Sequence, residues 1–318
     1  MPKYGYTLYC EGNTPKDLVR QAVAAEEAGF DFLVISDHYH PWLTSQSHAA
    51  FAWSVLGAVA QATDEIELAT MVTCPIMRYH PAIVAQMAAT VAVLSDERFT
   101  LGLGAGERLN EHVVGRGWPP VDVRHEMLRE AVGVIRELWD GGYVTHRGEH
   151  FVVEDARVFD LPRRRIPTYV AAGGPAAAEL AADIADGVCV TEPDEKIVAA
   201  YQEAGGDPAG TWGQVVLAWA GSEEDGLADA HAQFRFAAGG WKVQSELPNP
   251  VNFDAATATI APEGLADLIP AGPDVGRHAA AVREFADAGF EHIAVAYPGA
   301  DVDGFMRFWS EQLQPAVR

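Results

Sequence analysis

The chain has 318 residues, 49% hydrophobic and 21% charged, with 45 acids against 22 bases and a formal net charge of −23. That composition excludes a disordered chain and a small disulfide-stapled module, and the charge opposes binding to nucleic-acid phosphates or to an anionic membrane surface. No apolar run approaches the roughly 18–20 residues of a membrane span, and the first residues show no signal-peptide pattern. Cys10, Cys74 and Cys189 are odd in number, widely spaced and without a C-x-x-C pair, which points to a cytoplasmic protein with free cysteines.

A short apolar run, a turn and an amphipathic stretch recur along the chain. The runs predict strands at 4–10, 31–37, 66–75, 99–106, 167–174, 187–193, 214–221 and 292–299. They are continuously apolar, as parallel strands buried on both faces require. Helical patterns lie at 14–29, 48–62, 81–95, 124–139, 175–184, 194–204, 222–236, 273–289 and 301–314. The first begins with Thr14 as cap and Pro15 in its first turn, and closes on Gly29. Eight strands alternating with helices predict a single-domain (β/α)8 barrel over residues 1–318. A doubly wound sheet is the alternative, but the first strand–helix turn lacks G-x-G-x-x-G. Two stretches break the rhythm: 140–166, which reads as an inserted hairpin, and 237–270, an excursion long enough for a lid.

In such a barrel the active site lies at the C-terminal strand ends. Strand two ends in Ser-Asp-His-Tyr-His-Pro-Trp at 36–42, strand three in Thr-Cys-Pro at 73–75, and strand four in Gly-Ala-Gly-Glu at 104–107 followed by Asn110. Strand five ends in Ala-Ala-Gly-Gly at 171–174 ahead of Pro175, and strand six ends in Thr191 and Glu192. His38 and Glu107 are therefore two proton-carrying groups at one mouth, and an imidazole titrates near neutrality. Glycines 102, 104 and 106 alternate along strand four and would let a flat ring lie against it. Gly173, Gly174 and Pro175 open a helix whose free N–H groups suit a phosphate. His38-x-His40 also resembles the metal pair of amidohydrolase barrels, but the ends of strands five and eight supply no further ligands, so no metal is expected.

The segments at 36–42, 73–75, 78–86, 104–111 and 171–187 together resemble the luciferase-like oxidoreductases. They are most similar to the branch of coenzyme F420-dependent glucose-6-phosphate dehydrogenases. The resemblance implies a barrel, usually a homodimer, with the deazaflavin at its mouth. It implies Asp37 as a coenzyme contact, His38 as catalytic base, Trp42 beside the reacting centre and Glu107 as second proton-transfer group. Cys74, Ala105, Gly106 and Asn110 would line the ring site, and Met71–Val72 would be a cis peptide bond there. Gly173, Gly174, Ala176 and Ala177 would hold the coenzyme phosphate, and Thr191 would contact substrate. Two positions depart from the pattern. Cys74 stands where the sugar-phosphate enzymes have threonine, and Asp194 where they have a phosphate-binding lysine.

The leading expectation is an F420-dependent oxidoreductase that moves a hydride between the coenzyme and an alcohol, hemiacetal or carbonyl carbon, with glucose 6-phosphate a poor substrate. The alternatives are an FMN-dependent luciferase-like monooxygenase and a coenzyme-binding protein without catalysis.

Overall fold

The computed structural model describes residues 1–318. Eight parallel strands close into a barrel: β1 (Lys3–Leu8), β2 (Phe32–Ile35), β3 (Glu67–Thr70), β4 (Phe99–Leu103), β7 (Thr168–Ala171), β8 (Gly187–Val190), β9 (Thr211–Val216) and β10 (His292–Ala296). Each pairs with the next, and β10 returns to β1 with Tyr4 opposite Ile293. The remaining two strands, β5 (Val144–Arg147) and β6 (Val152–Ala156), form an antiparallel hairpin. This is the (β/α)8 architecture that the strand–helix alternation predicts, with the hairpin inside 140–166.

Outside the barrel lie α1 (Pro15–Glu27), α2 (Ala52–Ala62), α3 (Pro81–Leu94), α4 (Arg108–Glu111), α5 (Val121–Trp139), α6 (Pro175–Ile184), α7 (Glu195–Glu203) and α8 (Glu223–Phe234). Thr14 caps α1 by accepting the Asp17 N–H at 3.2 Å. The helices α9 (Trp241–Gln244) and α10 (Pro250–Ala256) come from the 237–270 excursion, and α11 (Val275–Asp287), α12 (Val302–Phe308) and α13 (Gln314–Val317) complete the ring. The predicted last helix, 301–314, is broken by a π turn at 309–313. Trp309 in that turn is buried and stacks on Phe30 at 4.2 Å.

The predicted strands extend past the ladder at their C-terminal ends, most of all at 66–75, where β3 stops at Thr70. The residues beyond it turn inward over the barrel. Inside the barrel, Phe32, Tyr169, Cys189, Trp212 and Ala294 form a packed cluster, with Met71 and Val72 against it. A larger apolar layer separates the barrel from its helices. A third cluster joins Trp42, Phe234, Phe236, Phe253, Leu265 and Ile269 and anchors the 237–270 segment over the mouth. No helix is long and apolar enough to cross a membrane.

Gly102 and Gly104 each meet a close neighbour. A Cβ at Gly102 would collide with the Thr70 carbonyl oxygen and lie 2.6 Å from the Tyr169 ring. One at Gly104 would come within 2.7 Å of Val72. Because Gly102 meets backbone, no side-chain rotation relieves it, and overpacking of this kind costs about 1–3 kcal/mol. We expect Gly102→Ala to lower unfolding stability in urea by at least that amount, and wild-type stability in the variant would contradict the packing assignment.

Candidate active site

The mouth is organised around His38, at the end of β2. Its Nδ1 sits in ion-pair contact with Oε1 of Glu11, and neither atom has another hydrogen-bond partner. Glu11 follows β1 and is fully buried, and its second oxygen accepts the Ser36 hydroxyl at 2.8 Å. On the opposite side, His38 Nε2 stands 3.6 Å from Glu107 Oε1. The His38 and Glu107 side chains are 13% and 12% exposed, so both open to the mouth while Glu11 is sealed beneath them. Burial pulls the His38 pKa down, but Glu11, with a smaller contribution from Glu107, outweighs it and raises the pKa to about 9. The imidazole is therefore an imidazolium at neutral pH. It can donate a proton as it stands, and must first lose one to accept.

Trp42 presents its ring to His38 edge-on at 5.1 Å and stacks on Phe236 at 4.7 Å. Phe253 meets Trp42 edge-on from α10. Trp42 is thereby fixed between the imidazole and the lid. The Asn110 Nδ2 donates to Glu107, and its oxygen accepts the Tyr39 and His40 N–H groups at 2.7 and 2.8 Å. Asn110 thus ties the β2 loop to the β4 loop that carries Glu107.

Asp37 points the other way. Its carboxylate accepts from Trp53 Nε1, Thr73 Oγ1, Tyr79 OH and Arg78 at 2.7–3.1 Å, and it is fully buried. Four donors thus meet a group with about four acceptor sites, and through them Asp37 braces the loop that presents His38. Arg78 continues the brace to Glu111, whose Oε2 accepts the Arg78 N–H at 2.8 Å. Burial pushes the Glu111 carboxyl up to about 7, with Arg78 opposing.

Cys74 is buried, and its thiol is pushed far above the ordinary range by burial and by Glu111. Gly106 has a φ of +73°, and a Cβ there would lie 2.6 Å from Cys74 Sγ. Cys74, Ala105 and Gly106 thus form one wall, held from behind by Arg124, which donates to the Gly106 carbonyl at 3.0 Å. Met71 and Val72 form its floor, and the peptide bond between them is cis.

The other assigned residues lie apart from His38. Gly173 and Gly174 lead into α6, with Ala176 and Ala177 in its first turn. The Trp241 indole covers Gly173, where a Cβ would lie 2.7 Å from it. Gly174 is open, with nothing within 4 Å of a Cβ. Thr191 is exposed just beyond β8. Asp194 caps α7 by accepting the Lys196 N–H at 2.9 Å.

Sequence reasoning missed Glu11, Arg78, Glu111 and Arg124. Glu11 stands one residue past Cys10, within reach of the strand-end rule. Arg78 and Glu111 lie inside motifs noted above, but only the fold brings them together.

A closed parallel barrel with a carboxylate–imidazole–carboxylate line across its mouth defines a barrel enzyme equipped for proton transfer. A model of the luciferase-like monooxygenase family matches residues 3–292. An F420-dependent glucose-6-phosphate dehydrogenase of Microbacterium testaceum is 33% identical, over 99% of this chain and 97% of its own length. An F420-dependent hydroxymycolic acid dehydrogenase of Mycobacterium tuberculosis is 36% identical, over 95% of this chain and 84% of its own. Among solved structures, an F420-dependent secondary alcohol dehydrogenase in complex with an F420-acetone adduct superposes with a TM-score of 0.91 at 29% identity, covering 100% of this chain and 99% of that one. The chain belongs to the luciferase-like monooxygenase family.

The Glu11–His38 contact has a pH signature. His38 keeps its proton to about pH 9 when folded, against an ordinary value of 6.5. The stability it contributes is complete below about 6.5 and is lost as pH rises through about 9. We expect wild type to melt above Glu11→Gln at pH 6, with the gap closing towards pH 9.5. A gap that stays constant over that range would contradict the pairing.

Proposed function

We propose that this protein is an F420-dependent oxidoreductase that interconverts an alcohol and a carbonyl compound. The observation that carries the reading is the line Glu11–His38–Glu107, with His38 and Glu107 open to the mouth and Glu11 sealed beneath them. The residues present fit the coenzyme. Proton-carrying groups face a mouth walled by Cys74, Ala105 and Gly106, and the open corner at Gly174 lies at a helix start suited to a phosphate. The relatives above 30% identity named above are F420-dependent, which sets the FMN monooxygenase reading aside.

When bound, the coenzyme supplies hydride exchange at its ring carbon. His38 handles the substrate's oxygen: as imidazolium it gives a proton to a carbonyl oxygen, and as neutral imidazole it takes one from a hydroxyl. Glu11 orients the ring and stabilises its charged form. Glu107, held by Asn110, carries the second proton, and Trp42 excludes water beside the imidazole. Gly173, Gly174, Ala176 and Ala177 hold the phosphate, and Thr191 contacts substrate.

The pocket favours an uncharged substrate. Its wall beside His38 is aromatic, built from Trp42, Phe236 and Phe253. Asp194 is engaged as a helix cap, and Arg277 is paired with Glu223 at 2.5 Å and with the Ala266 carbonyl. Arg277 is thus engaged elsewhere, and Asp194 is an anion that opposes a phosphate. The whole chain works as one unit in the cytoplasm, as a homodimer. The apolar residues exposed on α3, namely Ile83, Val93 and Leu94, support a partner there.

Incubation with oxidised coenzyme F420 and a panel of alcohols, sugars and sugar phosphates tests this reading through coenzyme absorbance. We expect small secondary alcohols to reduce the coenzyme and glucose 6-phosphate to do so poorly. Efficient reduction by glucose 6-phosphate at micromolar half-saturation would contradict the substrate assignment. His38→Ala should lose roughly 10²–10⁴-fold in turnover at nearly unchanged coenzyme affinity. Gly174→Val, which the fold accommodates, should weaken coenzyme binding at least about tenfold by obstructing the helix start. Undiminished affinity would remove α6 as the phosphate site.

A further inference from the structure

Arg124 is the fourth residue of α5, and its side chain is 5% exposed. Two effects work against a guanidinium there. The first turn of a helix is its positive end, and burial penalises a charge that lacks a close carboxylate. No tight ion pair offsets them. The one carboxylate in ion-pair range is Glu246, whose Oε1 is 3.9 Å from Arg124 Nη2 and whose side chain is 56% exposed. The buried Nε has no partner at all. Helix stability therefore does not account for an arginine at this position.

Its contacts join three segments. Nη1 donates to the carbonyls of Gly106 and Ala105 at 3.0 and 3.4 Å, on the wall beside Cys74. The guanidinium lies over the Trp118 ring at 4.0 Å, and the Trp118 indole N–H donates to the same Glu246 oxygen at 3.3 Å. Glu246 belongs to the lid. One residue before it, the Ser245 carbonyl accepts the N–H of Arg108, the neighbour of Glu107. Trp241, at the start of the same stretch, covers Gly173. Six residues of lid thus meet the ring wall, the Glu107 loop and the glycines before α6. Gly240 leads into them at a φ of +68° with nothing within 4 Å of a Cβ, a backbone free to turn.

We propose that Arg124 is a positioning residue: with Trp118 and Glu246 it latches the lid to the wall at Gly106, and release of Glu246 lets the lid open for the coenzyme to enter and leave. The inference rests on the coenzyme reading above. A single exposed carboxylate suits a lid that must open repeatedly, because water competes for Glu246 as soon as the contact lengthens. The buried side of the latch stays in place, since Arg124 keeps its hydrogen bonds to the wall. Closing the latch also seats Ser245 on Arg108, next to the proton-carrying Glu107.

The test is stopped-flow fluorescence of the full-length protein with coenzyme F420, which gives the association and dissociation rates. Four proteins are compared: wild type, Glu246→Gln, Arg124→Lys and the double variant. Glu246 is exposed, so Glu246→Gln should melt with wild type. We expect it to release the coenzyme roughly three- to tenfold faster, the scale of a partly exposed charge-assisted contact, with the gap to wild type closing as salt rises. Arg124→Lys keeps the charge but lacks the planar fork that reaches wall and lid together. It should also release faster, and the double variant should be no faster than Arg124→Lys alone. Should Arg124→Lys fail to fold, the rate of Glu246→Gln and its salt dependence decide. Release at the wild-type rate from Glu246→Gln, or effects that simply multiply in the double variant, would overturn the latch while leaving the coenzyme reading intact. Wild type that binds no coenzyme would overturn the coenzyme reading and the latch with it.

Discussion

The site depends on one contact, the buried carboxylate of Glu11 against the imidazole of His38. A sealed carboxylate beneath a histidine does two things at once. It fixes which ring nitrogen faces the mouth, and it makes the charged ring the stable form. Ser36 holds the far oxygen of Glu11, so the carboxylate cannot rotate away. Around this axis the chain spends several buried polar groups on orientation alone. Asp37 and Glu111 clamp Arg78, and Asn110 ties the His38 loop to the Glu107 loop. The Asp37, Glu111 and Asn110 side chains each find partners inside the protein, which is how buried polar residues hold a geometry.

The second constraint is the segment at 237–270. Phe253 packs on Trp42 beside Phe236, the residue just before the segment; Trp241 covers Gly173, and the Ser245 carbonyl accepts the Arg108 N–H at 3.0 Å. One insertion thus contacts the loops after β2, β4 and β7. It backs Trp42, whose ring lies against the imidazole, and a site shielded from water strengthens the electrostatic effect of Glu11 and Glu107.

Much of this was legible in the sequence. The continuous apolar runs and intervening amphipathic stretches give the barrel because strand burial on both faces leaves a pattern that composition preserves. His38, Trp42, Glu107 and Asn110, which the structure brings together, stand out in the sequence because they sit in compact motifs at strand ends. Glu11 was not, because a single acid after a strand carries no periodic or motif signal, and its role exists only when β1 and β2 lie side by side. The close approach of Gly102 to the Thr70 carbonyl was hidden for a related reason, since a glycine needed for a ligand and one needed for a neighbouring carbonyl look alike until the neighbour is placed. The bracing of Asp37 was equally invisible, since its four donors come from three separate segments.

The central claim is that Glu11 raises the His38 pKa, so that the ring gives a proton to the substrate's oxygen as imidazolium and takes one only as neutral imidazole. The direct measurement is the pH dependence of hydride transfer in both directions with one alcohol–ketone pair. Ketone reduction by reduced coenzyme should stay flat through neutrality and fall above about pH 9, while alcohol oxidation rises towards the same pKa. In Glu11→Gln both limbs should move to lower pH. Profiles that ignore this range, or that do not shift when Glu11 loses its charge, would contradict the account.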